Sequence, residues 1–231
     1  MFERIAVAVL VLSLSACAAP RPHPVAPLPI QPFSSLQALP PAGSYQVDSQ
    51  NSELRVLVYR AGALANLGHN HVMVNHAVTG VVQVGGSIPE SSFSLEVPVE
   101  SFVVDDADAR REEGGDFTGD IPEDAKAGTR RNMLSAAQLN AAEFPEIRVA
   151  GATLSGTLDA LNADLTISVA GHEASVSAPF SLQGDAHTLT AVGSLALRQT
   201  ALGITPYSLL HGALQVDDVM QLKFRIVVPI G

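Results

Sequence analysis

From Tyr45 onward, apolar and polar residues alternate along the chain with a period of two. Tyr45 and Val47 open the pattern, and Leu54, Val56 and Val58 repeat it. Val78, Val82 and Val84 follow, then Phe93, Leu95, Val97 and Val99, then Ile147 and Val149. Leu161, Ala163, Leu165, Ile167 and Val169 alternate with Asn162, Asp164, Thr166 and Ser168. Val176 to Leu182, Leu189 to Leu197, and Leu222 to Val228 complete the series. One apolar face per strand is the mark of an antiparallel sheet. Gly85-Gly86, Gly151, Gly171, Gly184-Asp185 and Asp217-Asp218 are the expected turns between strands. The pattern predicts one all-β domain over residues 44–231, with eight or more antiparallel strands. Periodicity alone leaves a barrel with a lumen and a tightly packed sandwich both open.

Two interruptions break the alternation. Residues 105–124 carry nine acids against Arg110 and Arg111. Asp105, Asp106 and Asp108 supply hard oxygens, but the twelve-residue calcium-loop spacing is missing. The segment is therefore expected to be a loose solvated loop, extending over 105–128. Ser135 to Glu143 suits one short helix at 135–142 with Ser135 as its N-cap, ended by Phe144-Pro145.

The start of the chain has a different character. Ile5 to Leu14 is a ten-residue apolar run. That is too short to span a bilayer but fits the core of a signal peptide. Leu14-Ser15-Ala16-Cys17 follows at once and resembles a bacterial lipobox, whose cysteine takes the lipid. Residues 1–16 are accordingly expected to be a removed leader, with Cys17 as the lipid anchor. Eight of the 15 prolines lie between Pro20 and Pro41. Proline lacks an N–H and fixes φ, so residues 17–43 read as an extended tether. Ala18 after the cysteine points to the periplasmic side of the outer membrane in a Gram-negative host.

Composition narrows the partners. Thirteen Lys and Arg against 23 Asp and Glu give a net charge of −10 over 231 residues. Nucleic-acid binding requires clustered cations, which this chain lacks. The single cysteine excludes an intramolecular disulfide and a thiolate zinc cluster. No nucleophile elbow, P-loop or dinucleotide-binding glycine motif is present. No enzymatic activity is expected. The histidines are the remaining candidates for chemistry. His69 and His71 fall at i and i+2, on one face of an extended segment, and His76 follows five residues on. Three imidazoles suit zinc or copper, and a pair suits haem. His211 is a further candidate from the far end of the chain. No acid lies close in sequence to orient these rings. The alternative is a polar barrel mouth whose imidazoles bond to the backbone.

Several segments together resemble the YceI-like family, a lipocalin-like group. Tyr45-Gln46-Val47-Asp48-Ser49, with Ser52 and Leu54, is similar to the family's first strand. Gly68-His69-Asn70-His71 is similar to a glycine-histidine motif of one branch. Ser101 to Asp105, Asn132-Met133-Leu134, and Phe144-Pro145-Glu146-Ile147 resemble further family segments in order and spacing. So do Leu165-Thr166-Ile167 with Gly171-His172, Gln199 to Ile204, Pro206-Tyr207-Ser208 and Val216 to Val219. Ala201-Leu202 stands where the family usually has Asp-Phe, and the acidic insertion is longer than the pattern expects.

The resemblance implies a lipocalin-like β-barrel that binds a polyisoprenoid or other long-chain lipid in an apolar lumen. Val82, Leu95, Leu165, Leu195 and Phe224 are then the expected lining, with His69 and His71 at the polar end. Two further readings stand beside this one. In the first, His69, His71 and His76 hold a metal or haem, in a protein that works with a redox membrane partner. In the second, the chain is a structural β-barrel lipoprotein with a filled core and no ligand.

Overall fold

A computed structural model describes residue 28 and residues 36–231. Cys17, the expected leader 1–16 and most of the proline-rich segment lie outside the described residues. The strands in chain order are β1 (Gly43–Gln46), β2 (Glu53–Val58), β3 (Arg60–Ala61), β4 (His71–Asn75) and β5 (Thr79–Val84). Next come β6 (Ser92–Pro98) and β7 (Val103–Val104), followed by helices α1 (Ala107–Glu113) and α2 (Glu123–Leu134). Long strands then return: β8 (Glu146–Thr157), β9 (Ala160–Val169), β10 (His172–Gly184) and β11 (Thr188–Arg198). The chain ends with β12 (Ser208–Leu209), β13 (Leu214–Val216) and β14 (Val219–Pro229).

Eleven strands form one sheet in the order β1-β5-β6-β8-β9-β10-β11-β14-β2-β4-β7, and every pairing is antiparallel. The sheet curls into a half-barrel, so the expected all-β, lipocalin-type architecture holds and the sandwich reading does not. Just past β1 the curl closes on itself: Val47 N–H donates to Gly80 O at 3.0 Å, and Asp48 N–H to Val227 O at 2.8 Å. A separate small sheet, β12-β13-β3, stands at one end of the barrel.

Local chemistry fixes the register. Val169 pairs with His172, which leaves a two-residue turn of Ala170 (φ 48°) and Gly171 (φ 79°). Two consecutive positive φ values give the primed turn whose twist matches that of the strands. The aliphatic residues then fall on one face: Leu165 opposite Val176, Ala191 between Leu182 and Ile226, Leu195 opposite Leu222, and Phe224 opposite Leu54. Gly193 pairs with Phe224, and a Cβ there would lie 2.4 Å from that ring. The missing side chain is what lets the phenyl ring lie across the neighbouring strand.

The acidic segment differs from expectation. It is not a loose loop, since α1, a 3-10 turn at Gly115–Phe117 and the first half of α2 occupy it. Asp106 caps α1, accepting from the Asp108 and Ala109 N–H groups, both at 3.0 Å. The apolar Ala109 and Phe117 pack with Leu57, Tyr59, Val72 and Val74 on the outer face of β2 and β4. A second correction concerns the single helix expected at 135–142. Residues 135–143 instead form turns, and Ser135 ends α2 rather than starting a helix. Its hydroxyl donates to Asn132 O at 2.7 Å, and Asn140 at φ 46° reverses the chain. The helix lies earlier, in α2, where Glu123 and Asp124 favour the start and Arg131 the end through the helix dipole.

Leu36 and Leu39, from the last part of the expected tether, pack against the main core. Leu36 lies beside Gly184, at the end of the barrel opposite the small sheet.

Candidate functional site

The curled sheet encloses a cavity of about 480 Å³. Its walls are the aliphatic faces of the long strands, and Ala125, Thr129 and Met133 of α2 lie along one side. Val82, Leu95, Leu165, Leu195 and Phe224 all line it, as do His69 and His71. Among the described residues, no Asp or Glu lines this cavity. Lumen-facing Leu54, Val56, Val82 and Leu95 keep accessible surface because the space in front of them is unfilled.

Polar groups gather at the end formed by the small sheet. Arg60, His69, His71, Gln199, Tyr207 and Gln215 line the cavity there. Arg60, His69 and Leu209 are also exposed, so the cavity reaches the surface at this end. The histidine segment is held by the buried Asn70. Its Oδ1 accepts from Arg60 N–H at 2.9 Å, and its Nδ2 donates to Asp116 O at 3.2 Å. Arg60 completes the loop by donating from Nη1 to Gly68 O at 2.9 Å. The rings of His69 and His71 meet edge-on, with centroids 6.2 Å apart.

The oriented imidazole is His71. Its Nδ1 lies 2.6 Å from Oδ2 of Asp105, a carboxylate with no exposed surface. The other carboxylate oxygen accepts from Val72 N–H at 3.0 Å and from Arg110 Nη1 at 2.7 Å. Arg110 Nη1 also donates to Asn70 O at 2.8 Å. Burial works to raise the Asp105 pKa, but the hydrogen bond and charge of His71, then Val72 N–H and Arg110, outweigh it. The group sits below its ordinary value of 3.8. Asp105 itself takes φ 55°, a left-handed conformation that aims its carboxylate back under β4. With Nδ1 engaged, Nε2 is the ring nitrogen of His71 left for whatever enters the cavity.

Asp105 is the residue that sequence reasoning missed. No acid near His71 in sequence can orient it, yet an acid 34 positions away does so. Ser101 to Asp105 is one of the segments that carry the family resemblance, and that is the available signal. The metal trio does not assemble: His76 Nδ1 faces Ser52 O at 3.3 Å, away from the His69–His71 pair. Among the described residues, no three His, Cys, Asp or Glu side chains gather in a metal-holding arrangement. His211 does not line the cavity.

A second charged cluster lies outside the barrel. Buried Arg55 contacts Glu53 at 2.6 Å, and Glu112 and Glu113 each at 2.9 Å. Lys223 reaches Glu113 at 2.5 Å. Beside it Tyr59 packs edge-on against Phe117, with ring centroids 5.5 Å apart. Burial first, then Glu113 and Asp116, push the Tyr59 phenol up to about 12.

Comparison with known proteins bears on this architecture. A family model described as the YceI-like domain matches residues 45–228. The curated proteins contain no match. Among solved structures, Burkholderia cenocepacia BcnA is similar at TM-score 0.57 and 16% identity, over 78% of this chain and 98% of that one. A polyisoprenoid binding domain from Saccharophagus degradans, implicated in plant cell wall breakdown, is similar at TM-score 0.52 and 10% identity. That match covers 81% of this chain and 98% of that domain. With the family match spanning the whole curled sheet, the chain belongs to the YceI-like domain family.

Proposed function

We propose that this protein is a lipid-binding envelope protein that holds an isoprenoid or other long-chain lipid in its barrel. The observation that carries the reading is the cavity of about 480 Å³ with an aliphatic, acid-free lining. A lumen open at one end leaves its aliphatic walls facing water, a cost that a bound apolar chain removes. A prenyl chain supplies the missing contacts, at roughly 4 kcal/mol gross per five-carbon unit from about 0.8 kcal/mol per CH₂. The polar head sits at the Arg60–His69–His71 end, where His71 Nε2 meets it. The likeness to a polyisoprenoid binding domain supports the same ligand class.

The same reading gives Cys17 a diacylglycerol anchor and places the barrel on the periplasmic side of the outer membrane. It rests on the lipobox Leu14-Ser15-Ala16-Cys17. Cys17→Ala is expected to release the protein from membranes or to block its processing; wild-type partitioning would contradict the anchor. For the ligand, protein carrying Cys17→Ala in an otherwise wild-type chain is purified without detergent and extracted with organic solvent, and the extract is analysed by mass spectrometry. A long-chain lipid is expected from the wild type and none from Val82→Asp, because a carboxylate on the apolar wall is costly to bury. Equal lipid in both, or none in the wild type, would contradict the reading.

A further inference from the structure

Two neighbouring loops at the polar end expose leucines that no core residue covers. Leu67 is 66% exposed, Leu209 46% and Leu210 65%. Leu67 ends the 3-10 turn Ala65–Leu67, and that turn leans on the β12–β13 connection through Leu64 N–H to Ala213 O at 2.7 Å. Leu209 pairs with Leu214 across β12 and β13 and lines the cavity. Leu210 and His211 take φ 51° and 56°, left-handed values in two consecutive residues that are not glycine. Leucine visits that region only at an energetic cost, and here the cost leaves an apolar side chain in water.

Charge sets this surface apart from the rest of the chain. The protein carries a net charge of −10, yet residues 60–76 and 199–216 contain no Asp or Glu. Their charged and titratable groups are Arg60, His69, His71, His76, Tyr207 and His211. Asp116 and Asp217 meet these segments through backbone atoms, at Asn70 and beside Tyr59. Asp105 and Asp218 meet them through carboxylates, at His71 and at Thr200, and each is paired with an arginine, Arg110 and Arg198.

We propose that Leu67, Leu209 and Leu210 form a membrane-contacting rim through which lipid passes between a bilayer and the cavity. This rests on the lipid-binding reading above. An anionic membrane surface repels a chain of net charge −10 and is met best by loops that carry no acid of their own and whose neighbouring carboxylates, Asp105 and Asp218, are paired with arginines. Exposed leucines at that end enter the acyl boundary, and Leu209 joins the rim to the cavity wall. The lipid then moves between two apolar phases without crossing water.

The test uses the full-length chain with Cys17→Ser, so that one introduced cysteine carries an environment-sensitive fluorophore. Leu67→Cys and Leu210→Cys report on the rim. Asp159→Cys, in the β8–β9 turn at the opposite end, is the control. With phosphatidylethanolamine–phosphatidylglycerol vesicles, the rim labels are expected to shift to the blue and resist an aqueous quencher, while the control stays unchanged. Rim labels that do not move, that shift no more than the control, or that are already shielded without vesicles overturn the proposal. The last result would assign the rim to a second copy or a protein partner. In a second arm, Leu67→Asp with Leu210→Asp is expected to slow lipid uptake from vesicles by about tenfold or more, at unchanged final content. An unchanged rate overturns the rim. A wild type that takes up no lipid overturns the cavity reading, and the labels still decide the rim.

Discussion

The two faces of β2 are opposites in chemistry and in fate. Toward the lumen, Leu54, Val56 and Val58 line open space, and the first two remain partly accessible. Away from it, Glu53, Arg55, Leu57 and Tyr59 lie buried beneath α1 and the turn after it. Arg55 is only 3% exposed and Lys223 only 5%, although both point out of the barrel. The usual arrangement of packed interior and wet exterior is thus inverted along this strand. The charges sit where a helix seals them and three cations balance three carboxylates: Arg55, Lys223 and Arg225 against Glu53, Glu112 and Glu113. The lumen needs no such pairing and is left unfilled. The outer seam is buried and paired, and the inner wall leaves room.

The largest expected effect comes from the outer seam. Arg55→Met leaves Glu53 and Glu113 buried beside fewer cations, and breaking such a cluster costs about 3–5 kcal/mol. Urea unfolding is expected to show that loss, while lipid content per folded chain stays at the wild-type level. A loss under about 1 kcal/mol would show that water reaches these charges and that the seam is not sealed.

Asp105 joins the two regions, because it is buried outside the lumen yet holds the lumen's His71. Its folded pKa is lowered, so its stabilisation is complete above the unfolded value and is lost as pH falls through the folded one. The protein is expected to weaken progressively from about pH 5 downward, to values below 3.8. Asp105→Asn is expected to cost about 2–4 kcal/mol at neutral pH and to flatten that acid dependence. Thermal melts from pH 3 to 7 measure both, and an unaltered slope would remove Asp105 from the account.

A smaller change tests the inner wall. Ala191→Leu adds methylenes to open space, so stability is expected to hold or rise by under about 1 kcal/mol. Lipid content is expected to fall at the same time. A loss of about 1–3 kcal/mol would instead indicate a wall already packed to capacity. The smallest effect belongs to the histidines. His71→Ala is expected to weaken lipid retention a few-fold, and His69→Ala less, because only His71 is oriented by a carboxylate. Equal effects in a competition assay would show that the Asp105 contact plays no part in binding.

The inner wall was legible in the sequence because it is local. A strict alternation such as Leu161, Ala163, Leu165, Ile167, Val169 needs no distant information to be read as one face of a strand. The outer seam was not legible. Its acids stand in a run that reads as solvated, and nothing in the run names the cations on β2 and β14 that neutralise it. Lys223 and Glu113 are 110 residues apart. The helix was misplaced for a related reason. Ser135-Ala136-Ala137 has stronger local helix signals than Lys126-Ala127-Gly128-Thr129, but Asn140 turns the chain before a helix can form. His71 stands out in the sequence as an imidazole two residues from another, and it lines the cavity. Its partner Asp105 is hidden by a separation of 34 residues.

The central claim is that the lumen is a container for lipid rather than a filled core. Native mass spectrometry of detergent-free full-length protein carrying Cys17→Ala, beside the same chain with Leu195→Asp, tests it most directly. The account predicts one long-chain lipid per chain in the first and the bare chain in the second, with both folded by circular dichroism. A bare chain in both, or the same bound mass in both, would contradict it.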